Sequence, residues 1–298
     1  TIHNMATWMV TDFGSTATRQ TYGEKLTSGE LLASYCLTES SSGSDAAALN
    51  TKALLDGDHY VITGNKAFIS GAGETDVLVV MARTGSAGSK GISAFVVDAN
   101  SDGISYGRRE DKMGWNAQPT RTINFDRVRV PIENLLGQEG EGFAIAMKGL
   151  DGGRINIATV GIGTAQQAME DALTYVNERK QFGKAISEFQ GMQFKLADMN
   201  TELVAARQMV RLAAFKLDSQ DLDASTYCAM AKRFATDIGY KVCDEALQCF
   251  GGNGYIKEFP MERYLRDSRV HRILEGTNEI MRVIIARRIL LADHQAIL

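Results

Sequence analysis

The pattern of hydrophobic and polar positions divides the chain into three regions. Residues 1–30 mix helical periodicity with polar turns, and residues 31–135 carry short runs rich in β-branched and aromatic residues. Residues 136–298 carry long stretches with helical periodicity. We therefore predict a short helical segment, a middle β domain and a C-terminal helical domain with these boundaries.

The middle region predicts short strands without intervening helices. Its strand-like runs are bounded by Gly, Asn, Asp or Ser, which favour turns. The clearest runs are residues 59–63, 76–81, 92–97 and 122–125. This spacing favours an antiparallel β-barrel or sandwich.

The last region predicts an up-and-down bundle of four long helices, near residues 151–179, 188–217, 221–250 and 276–292. In the second helix, apolar residues recur at steps of three and four, which places them on one face. They are Leu196, Met199, Leu203, Ala206, Val210, Ala213 and Leu217. We interpret this stripe as core packing, and the fold class as α+β with two main domains.

Composition narrows the class of protein. The chain has 298 residues, of which 44% are hydrophobic and 23% charged, as in ordinary globular proteins. Its net charge of −4 argues against a nucleic-acid surface, and we expect no membrane span. Four cysteines without a CxxC pair indicate buried thiols in a reducing compartment. Four scattered histidines give no metal-ligand spacing, so no metal is expected.

Glu275 is the strongest candidate for chemistry. It follows an apolar Ile-Leu step and precedes Gly-Thr-Asn, a sequence that signals the start of a helix. A carboxylate in apolar surroundings can serve as a general base. The alternative reading is a solvated carboxylate that caps the helix.

Several motifs, taken in order, resemble those of the flavin-dependent acyl-CoA dehydrogenase family. They are Tyr35-Cys36-Leu37-Thr38-Glu39 with Gly43-Ser44-Asp45, the segment 64–70, the segment 178–183, the segment 248–254 and the segment around Glu275. The resemblance covers nearly all of the chain and is closest to the short branched-chain type. It also implies that residues 1–30 are the remnant of an N-terminal helical domain, most of which precedes Thr1 in the family.

The resemblance implies FAD as the cofactor, held in an extended groove between the two domains. This agrees with the reaction, since no amino-acid side chain accepts a hydride. The residues that match cofactor-binding positions are Tyr35, Leu37, Thr38, Ser44, Phe68, Ser70, Arg179, Gln181, Phe182, Phe189, Gln190, Gln248, Gly251, Gly252, Thr277 and Glu279. Without the resemblance, Thr38 and Ser44 read as turn residues and Phe68 as a core aromatic of a strand.

One segment departs from the family pattern. Ser40-Ser41 stands where the family usually has Pro-Gly, which predicts a more flexible loop. Trp115, in contrast, is interpreted as packing inside the β domain rather than as a flavin contact.

The same resemblance assigns Glu275 as the catalytic base. Gly153 occupies the position where some relatives carry the base instead, so it offers no competing carboxylate. Residues that match substrate-binding positions are Ser44, Asp151, Arg154, Leu274 and Gly276. Leu274 stands where straight-chain enzymes often have tyrosine, and a smaller wall there favours a branched acyl group such as isobutyryl-CoA.

The implied function is therefore dehydrogenation of a short branched acyl-CoA, as in valine degradation. Electrons would pass to an electron-transferring flavoprotein. A homotetramer is implied, in the cytoplasm of a bacterium or the mitochondrial matrix of a eukaryote. The alternatives are a dehydrogenase or oxidase of other chain specificity, and a non-catalytic homologue that acts as an oligomeric scaffold.

Overall fold

The computed structural model describes residues 1–291, and the described chain forms two compact units. The first comprises Thr1–Lys112 and Asn116–Leu150. The second comprises Met113–Trp115 and the chain from Asp151 onward.

The first unit begins with helices that pack on a sheet. They are α1 (Ile2–Phe13), α2 (Thr16–Thr18) and α3 (Glu24–Ser28), with a π-helical turn (Arg19–Gly23) between the last two. On α1, Met5 and Met9 share one face, as do Ala6 and Val10, because each pair is four residues apart. All four are buried in one core with alternate residues of the sheet.

The sheet of the first unit has eight strands. They are β1 (Ala33–Cys36), β2 (Lys52–Asp56), β3 (His59–Ser70), β4 (Val77–Arg83), β5 (Ile92–Asp98), β6 (Ile104–Tyr106), β7 (Thr120–Pro131) and β8 (Leu135–Leu136). The strand order is β6-β7-β3-β2-β4-β5-β8, and β1 also pairs with β4. Strand β4 is apolar at successive positions because it contributes to two cores, one on each face of the sheet.

The β domain is confirmed, but two details of its prediction are wrong. Among residues 1–291 the strand path does not close into a barrel, and β1 pairs with β4 in parallel. The segment 64–70 continues β3 and pairs with β7 across two register shifts. Strand β2 escaped prediction because only Ala53 of its five residues is buried, so it has no alternating pattern.

The second unit is helical. Its elements are the greater part of α4 (Gly142–Glu178), α5 (Gln190–Asp218), α6 (Ala224–Phe250), α7 (Met261–Arg269) and α8 (Asn278–Leu291). A two-stranded hairpin, β9 (Lys180–Gln181) with β10 (Lys184–Ala185), lies between α4 and α5. The four long predicted helices are confirmed over the described residues, whereas position 292 of the last lies outside them.

Small residues allow α4 and α6 to approach closely. A Cβ placed on Gly239 would lie 2.8 Å from the carbonyl oxygen of Gly161. The apolar stripe of α5 lies in the same core, as predicted, with Leu196 and Leu217 partly buried at its ends. All four cysteines are buried and free. Within the described residues, no helix is long and apolar enough to cross a membrane.

Candidate functional site

A cavity of about 390 Å³ in the helical unit gathers the residues predicted to bind a dinucleotide. Among its lining residues are Arg179, Gln181, Gln248, Gly251 and Gly252, which come from two separate places in the sequence. The remaining lining residues are Tyr175, Ile186, Cys249, Phe250 and Asn253. The structure therefore brings two of the sequence motifs together in one place.

The glycine turn at the end of α6 leaves backbone open to a ligand. Gly251 has a φ of 57°, which favours glycine, and its N–H donates to the carbonyl of Gln248. A Cβ on Gly251 or Gly252 would meet no atom within 4 Å. The turn thus caps the helix, and side chains of the described residues do not cover the backbone of its two glycines.

Arg179 supplies a positive charge to this cavity. It is exposed and directly follows the last residue of α4. Within residues 1–291 no carboxylate lies within 4 Å of its guanidinium. Its fork of donors therefore suits an anionic group from outside the chain.

A tight turn beside the cavity displays an aromatic side chain. Phe182 and Gly183 have φ values of 51° and 82°, so both residues of this hairpin turn are left-handed. The Phe182 side chain is 93% exposed and its ring meets the edge of Phe189 at 6.1 Å. Gln190 is also exposed, at the start of α5.

Glu275 lies in a strained turn. Its φ is 53° and that of Gly276 is 92°, so two successive residues are left-handed. The Glu275 Oε2 atom is shielded from solvent, which excludes the reading of a fully solvated capping carboxylate. The φ of Gly276 favours glycine, and a Cβ there would also lie 2.6 Å from the flexible end of Met281.

The predicted helix start after Glu275 is confirmed. Helix α8 begins at Asn278, and Thr277 caps it by accepting a hydrogen bond from the Ile280 N–H at 3.3 Å. Glu279 is exposed in the first turn, where its pKa is lowered, first by a backbone hydrogen bond.

Asp151 and Arg154 form a buried ion pair near this turn. The Arg154 Nη1 atom donates to Asp151 Oδ1 at 2.7 Å, and Ser225 donates its hydroxyl to the same carboxylate. Arg154 Nη2 lies 3.9 Å from the position that a Cβ on Gly276 would take. Leu274 is half-buried. The helical unit thus places four of the predicted substrate residues around one turn.

In the β unit, a buried ion pair holds the two predicted flavin segments together. Lys66 Nζ donates to Glu39 Oε1 at 2.8 Å and to the carbonyl of Leu37 at 3.0 Å. The Ala67 N–H donates to the Thr38 carbonyl at 2.9 Å, which ties the same segments by their backbones.

Ser40 and Ser41 lie in a turn of the first predicted flavin segment, and backbone hydrogen bonds on either side close this turn. Glu39 and Ser42 exchange two backbone hydrogen bonds across Ser40-Ser41, at 3.0 and 3.1 Å. Ser44 is exposed and Tyr35 is half-buried on β1. Ser70 accepts a hydrogen bond at its carbonyl from the Ser34 hydroxyl at 2.7 Å.

The positions of two aromatic residues differ from those interpreted from the sequence. Phe68 is 68% exposed with a φ of 55° at an irregularity of β3, so the reading as a core aromatic is wrong. Trp115 does not fill the β domain. It belongs to the helical unit, where its ring packs edge-to-face with His271 at 5.5 Å and its backbone N–H donates to Asp267 Oδ1 at 2.7 Å.

Comparison with known proteins agrees with these motifs. Residues 34–128 match the family model "Acyl-CoA dehydrogenase, middle domain" and residues 140–290 match "Acyl-CoA dehydrogenase, C-terminal domain". The chain belongs to the acyl-CoA dehydrogenase family. It is 52% identical, over 98% of its length and 71% of the other protein, to the mitochondrial isobutyryl-CoA dehydrogenase of Dictyostelium discoideum. The bovine mitochondrial isobutyryl-CoA dehydrogenase is 50% identical over 97% of the chain and 70% of its own length.

Solved structures show the same fold. Butyryl-CoA dehydrogenase from Megasphaera elsdenii superposes with a TM-score of 0.94 at 40% identity, covering 96% of this chain and 75% of the other. A chain from work on the electron transferring flavoprotein of Acidaminococcus fermentans superposes with a TM-score of 0.93 at 43% identity, with the same two coverages. This acyl-CoA dehydrogenase is thus an oxidoreductase of a flavoprotein family.

Four residues of this acyl-CoA dehydrogenase were not predicted as part of its site. They are Glu39 and Lys66 in the β unit, and Lys232 and Asn278 in the helical unit. Each is a buried polar residue whose partner is remote in sequence, so no local pattern marks it.

Proposed function

We propose that this acyl-CoA dehydrogenase oxidises a short branched acyl-CoA, with isobutyryl-CoA as the best candidate, to the 2,3-enoyl-CoA. The main observation in support of this proposal is the shielded carboxylate of Glu275 in its left-handed turn. The two isobutyryl-CoA dehydrogenases at 50% and 52% identity support the choice of substrate.

Glu275 takes the α-proton of the thioester. A carboxylate in a shielded site is suited to this weakly acidic proton. The backbone N–H of Glu275 stabilises the negative charge that develops on the thioester oxygen. When bound, FAD supplies the acceptor for the hydride from the β-carbon.

The open glycine turn and the unpaired arginine fit a dinucleotide cofactor. Arg179 is suited to the pyrophosphate, and Gln248, Gly251 and Gly252 offer backbone and amide contacts to it. The remaining contacts that we assign in the helical unit are Gln181, Phe182, Phe189, Gln190, Thr277 and Glu279.

The β unit contributes the contacts to the flavin ring. Phe68 is exposed at a strand irregularity and can pack on a flat ring. The other contacts that we assign are Tyr35, Leu37, Thr38, Ser44 and Ser70.

The acyl-CoA contacts that we assign in the helical unit are Asp151, Arg154, Leu274 and Gly276, and the one that we assign in the β unit is Ser44. Leu274 is half-buried one residue before the base. One such wall residue changes substrate preference by about 1–3 kcal/mol.

We further propose a homotetramer in which the exposed Phe182 turn contacts cofactor bound by a neighbouring subunit. The Phe182 side chain is 93% exposed in its turn, where it is accessible to a neighbouring subunit. Electrons pass to an electron-transferring flavoprotein. The enzyme works in the mitochondrial matrix of a eukaryote or in a bacterial cytoplasm; both isobutyryl-CoA dehydrogenases are mitochondrial by name.

A visible absorbance spectrum before and after anaerobic addition of isobutyryl-CoA tests the proposal. Bleaching of a flavin band is expected. A flavin band that persists rejects this substrate, and a colourless protein that takes up no added FAD rejects the catalytic function in favour of a scaffold. Stoichiometric hydrogen peroxide during aerobic turnover would identify an oxidase instead.

A further inference from the structure

Lys232 is a fully buried lysine in the middle of α6. Its exposed fraction is 0%, which places it among the largest fully buried side chains of the described chain. Lysine is seldom buried to this extent unless its ammonium group has partners. Those partners identify what the residue holds.

Both acceptors of the Lys232 ammonium group belong to the turn that carries Glu275. Nζ donates to the carbonyl of Gly276 at 2.7 Å and to Asn278 Oδ1 at 2.9 Å. Asn278 is fixed in turn, because its Nδ2 donates to Thr236 Oγ1 at 3.0 Å and to Asp237 Oδ1 at 2.9 Å. Residues of α6 therefore hold both Gly276 and Asn278, the first and third residues after the base.

The turn needs such a support. Glu275 has a side chain and a φ of 53°, a combination that persists only where the surroundings enforce it. The Gly276 carbonyl that receives the Lys232 ammonium group immediately follows this strained residue. Release of that carbonyl would free the turn to relax and re-aim the carboxylate.

The surroundings of Lys232 leave its side chain ionised near neutral pH. Glu275, Asp237 and Glu279 face it and attract, whereas Arg154 repels. His271 also faces it, with its own pKa lowered to about 4, mainly by burial, so that it is neutral. Burial lowers the pKa of Lys232 to about 8, which leaves the ammonium group protonated at pH 7.

We propose that Lys232 is a positioning residue for the catalytic base: it fixes the left-handed turn through the Gly276 carbonyl and holds a positive charge beside the Glu275 carboxylate. This proposal rests on the proposed function, in which Glu275 is the base. It assigns a role in the reaction to a residue of α6 that touches neither proton nor hydride.

Lys232→Met tests the role, because methionine fills a similar volume without charge or donor. We expect kcat to fall by about tenfold or more, with flavin content and KM close to the parent values. The acid limb of the pH profile of kcat/KM should move to higher pH by about one unit, since loss of a nearby cation raises a carboxyl pKa. Exchange of the α-hydrogen for deuterium in D₂O, followed by NMR, should slow in parallel because it reports the base alone.

Lys241→Met is the matched control. Lys241 lies on the same helix, is exposed, and pairs with Glu202 at 2.6 Å away from the turn. It should leave kcat and the acid limb unchanged. Lys232→Gln keeps a donor for the Gly276 carbonyl but no charge. It should retain a higher kcat than Lys232→Met and still show the shifted acid limb. If Lys232→Met does not fold, Lys232→Gln tests the positioning role in its place.

Glu275→Gln distinguishes a failure of the positioning role of Lys232 from a failure of the base role of Glu275. If Glu275→Gln is inactive while both Lys232 variants keep the parental kcat and acid limb, the positioning role is wrong and the base assignment stands. If Glu275→Gln remains active, the proposed function of that residue fails first.

Discussion

Removal of the Lys66 side-chain charge should destabilise the β unit strongly. The change Lys66→Met deletes the ammonium group that joins Leu37 and Glu39, at 3.0 and 2.8 Å. Both members of the pair are buried, with exposed fractions of 0% and 5%. The methionine side chain fills much of the same space, so the effect reports the pair rather than a cavity.

The magnitude follows from what the variant leaves behind. Loss of one partner from a buried ion pair costs about 3–5 kcal/mol, because the other charge remains buried without compensation. Here Glu39 keeps two hydrogen bonds from the backbone N–H groups of Asn50 and Thr51, at 2.7 and 2.9 Å. We therefore expect the lower end, about 3 kcal/mol, which corresponds to a Tm lower by about 6–12 °C for a domain of about 150–250 residues.

Thermal melts of the holoenzyme by circular dichroism, with flavin release followed by fluorescence, provide the assay. Flavin should dissociate earlier in the variant, because Lys66 holds the Leu37 carbonyl in the first flavin segment. Lys52→Met is the matched control, since Lys52 is exposed on neighbouring β2 and should change stability by no more than about 0.5 kcal/mol. A Lys66→Met melt that coincides with those of the parent and of Lys52→Met would refute the reasoning.

The pair also predicts a pH dependence with a definite sign. Burial alone would raise the pKa of Glu39, but the Lys66 charge and the hydrogen bonds from Lys66, Thr51 and Asn50 hold it below the ordinary value. A lowered carboxyl pKa gives stability that is present above the ordinary value and is lost as the pH falls through the lowered one. The stability gap between parent and Lys66→Met should therefore narrow in acid.

Three further predictions concern the helical unit. Glu275→Gln should retain flavin and lose at least the ~10²–10⁴-fold that a general base contributes, measured as anaerobic flavin reduction by acyl-CoA; an active purified variant would contradict this. Gly239→Ala should cost about 1–3 kcal/mol in urea unfolding, because its Cβ would meet the Gly161 carbonyl oxygen at 2.8 Å, whereas Gly163→Ala, with nothing within 4 Å, should be neutral or stabilising. Burial lowers the pKa of His271 from 6.5 to about 4, so the parent should lose stability relative to His271→Leu as the pH falls from 6.5 to 4. Parallel curves of unfolding free energy against pH in that range would show that the pKa of His271 is not lowered.

Periodicity predicted the long helices because each has a continuous apolar stripe, as Met199, Leu203 and Val210 show on α5. It placed the start of α4 too late, near residue 151, although the helix runs from Gly142 and includes Gly149. Glycine at such a position reflects tertiary packing: a Cβ on Gly149 would lie 2.1 Å from Met9 Cε.

The site could be predicted only where its residues form motifs. The glycine turn and Arg179 stand in recognisable segments, and they share one cavity in the structure. The left-handed φ of Glu275 could not be predicted, because glutamate rarely adopts it. The buried lysines could not be assigned either, since Lys66 and Glu39 are 27 residues apart and Lys232 and Gly276 are 44 apart.

The proposed role of the exposed Phe182 turn would link cofactor retention to protein concentration. If this turn completes the cofactor site of a neighbouring subunit, cofactor binding and subunit association are thermodynamically linked, and each strengthens the other. Dilution would then release flavin even when free FAD is held constant. The fraction of coloured protein would follow a law of mass action in subunits, and a concentrated stock would hold its cofactor far better than the same enzyme at assay concentration.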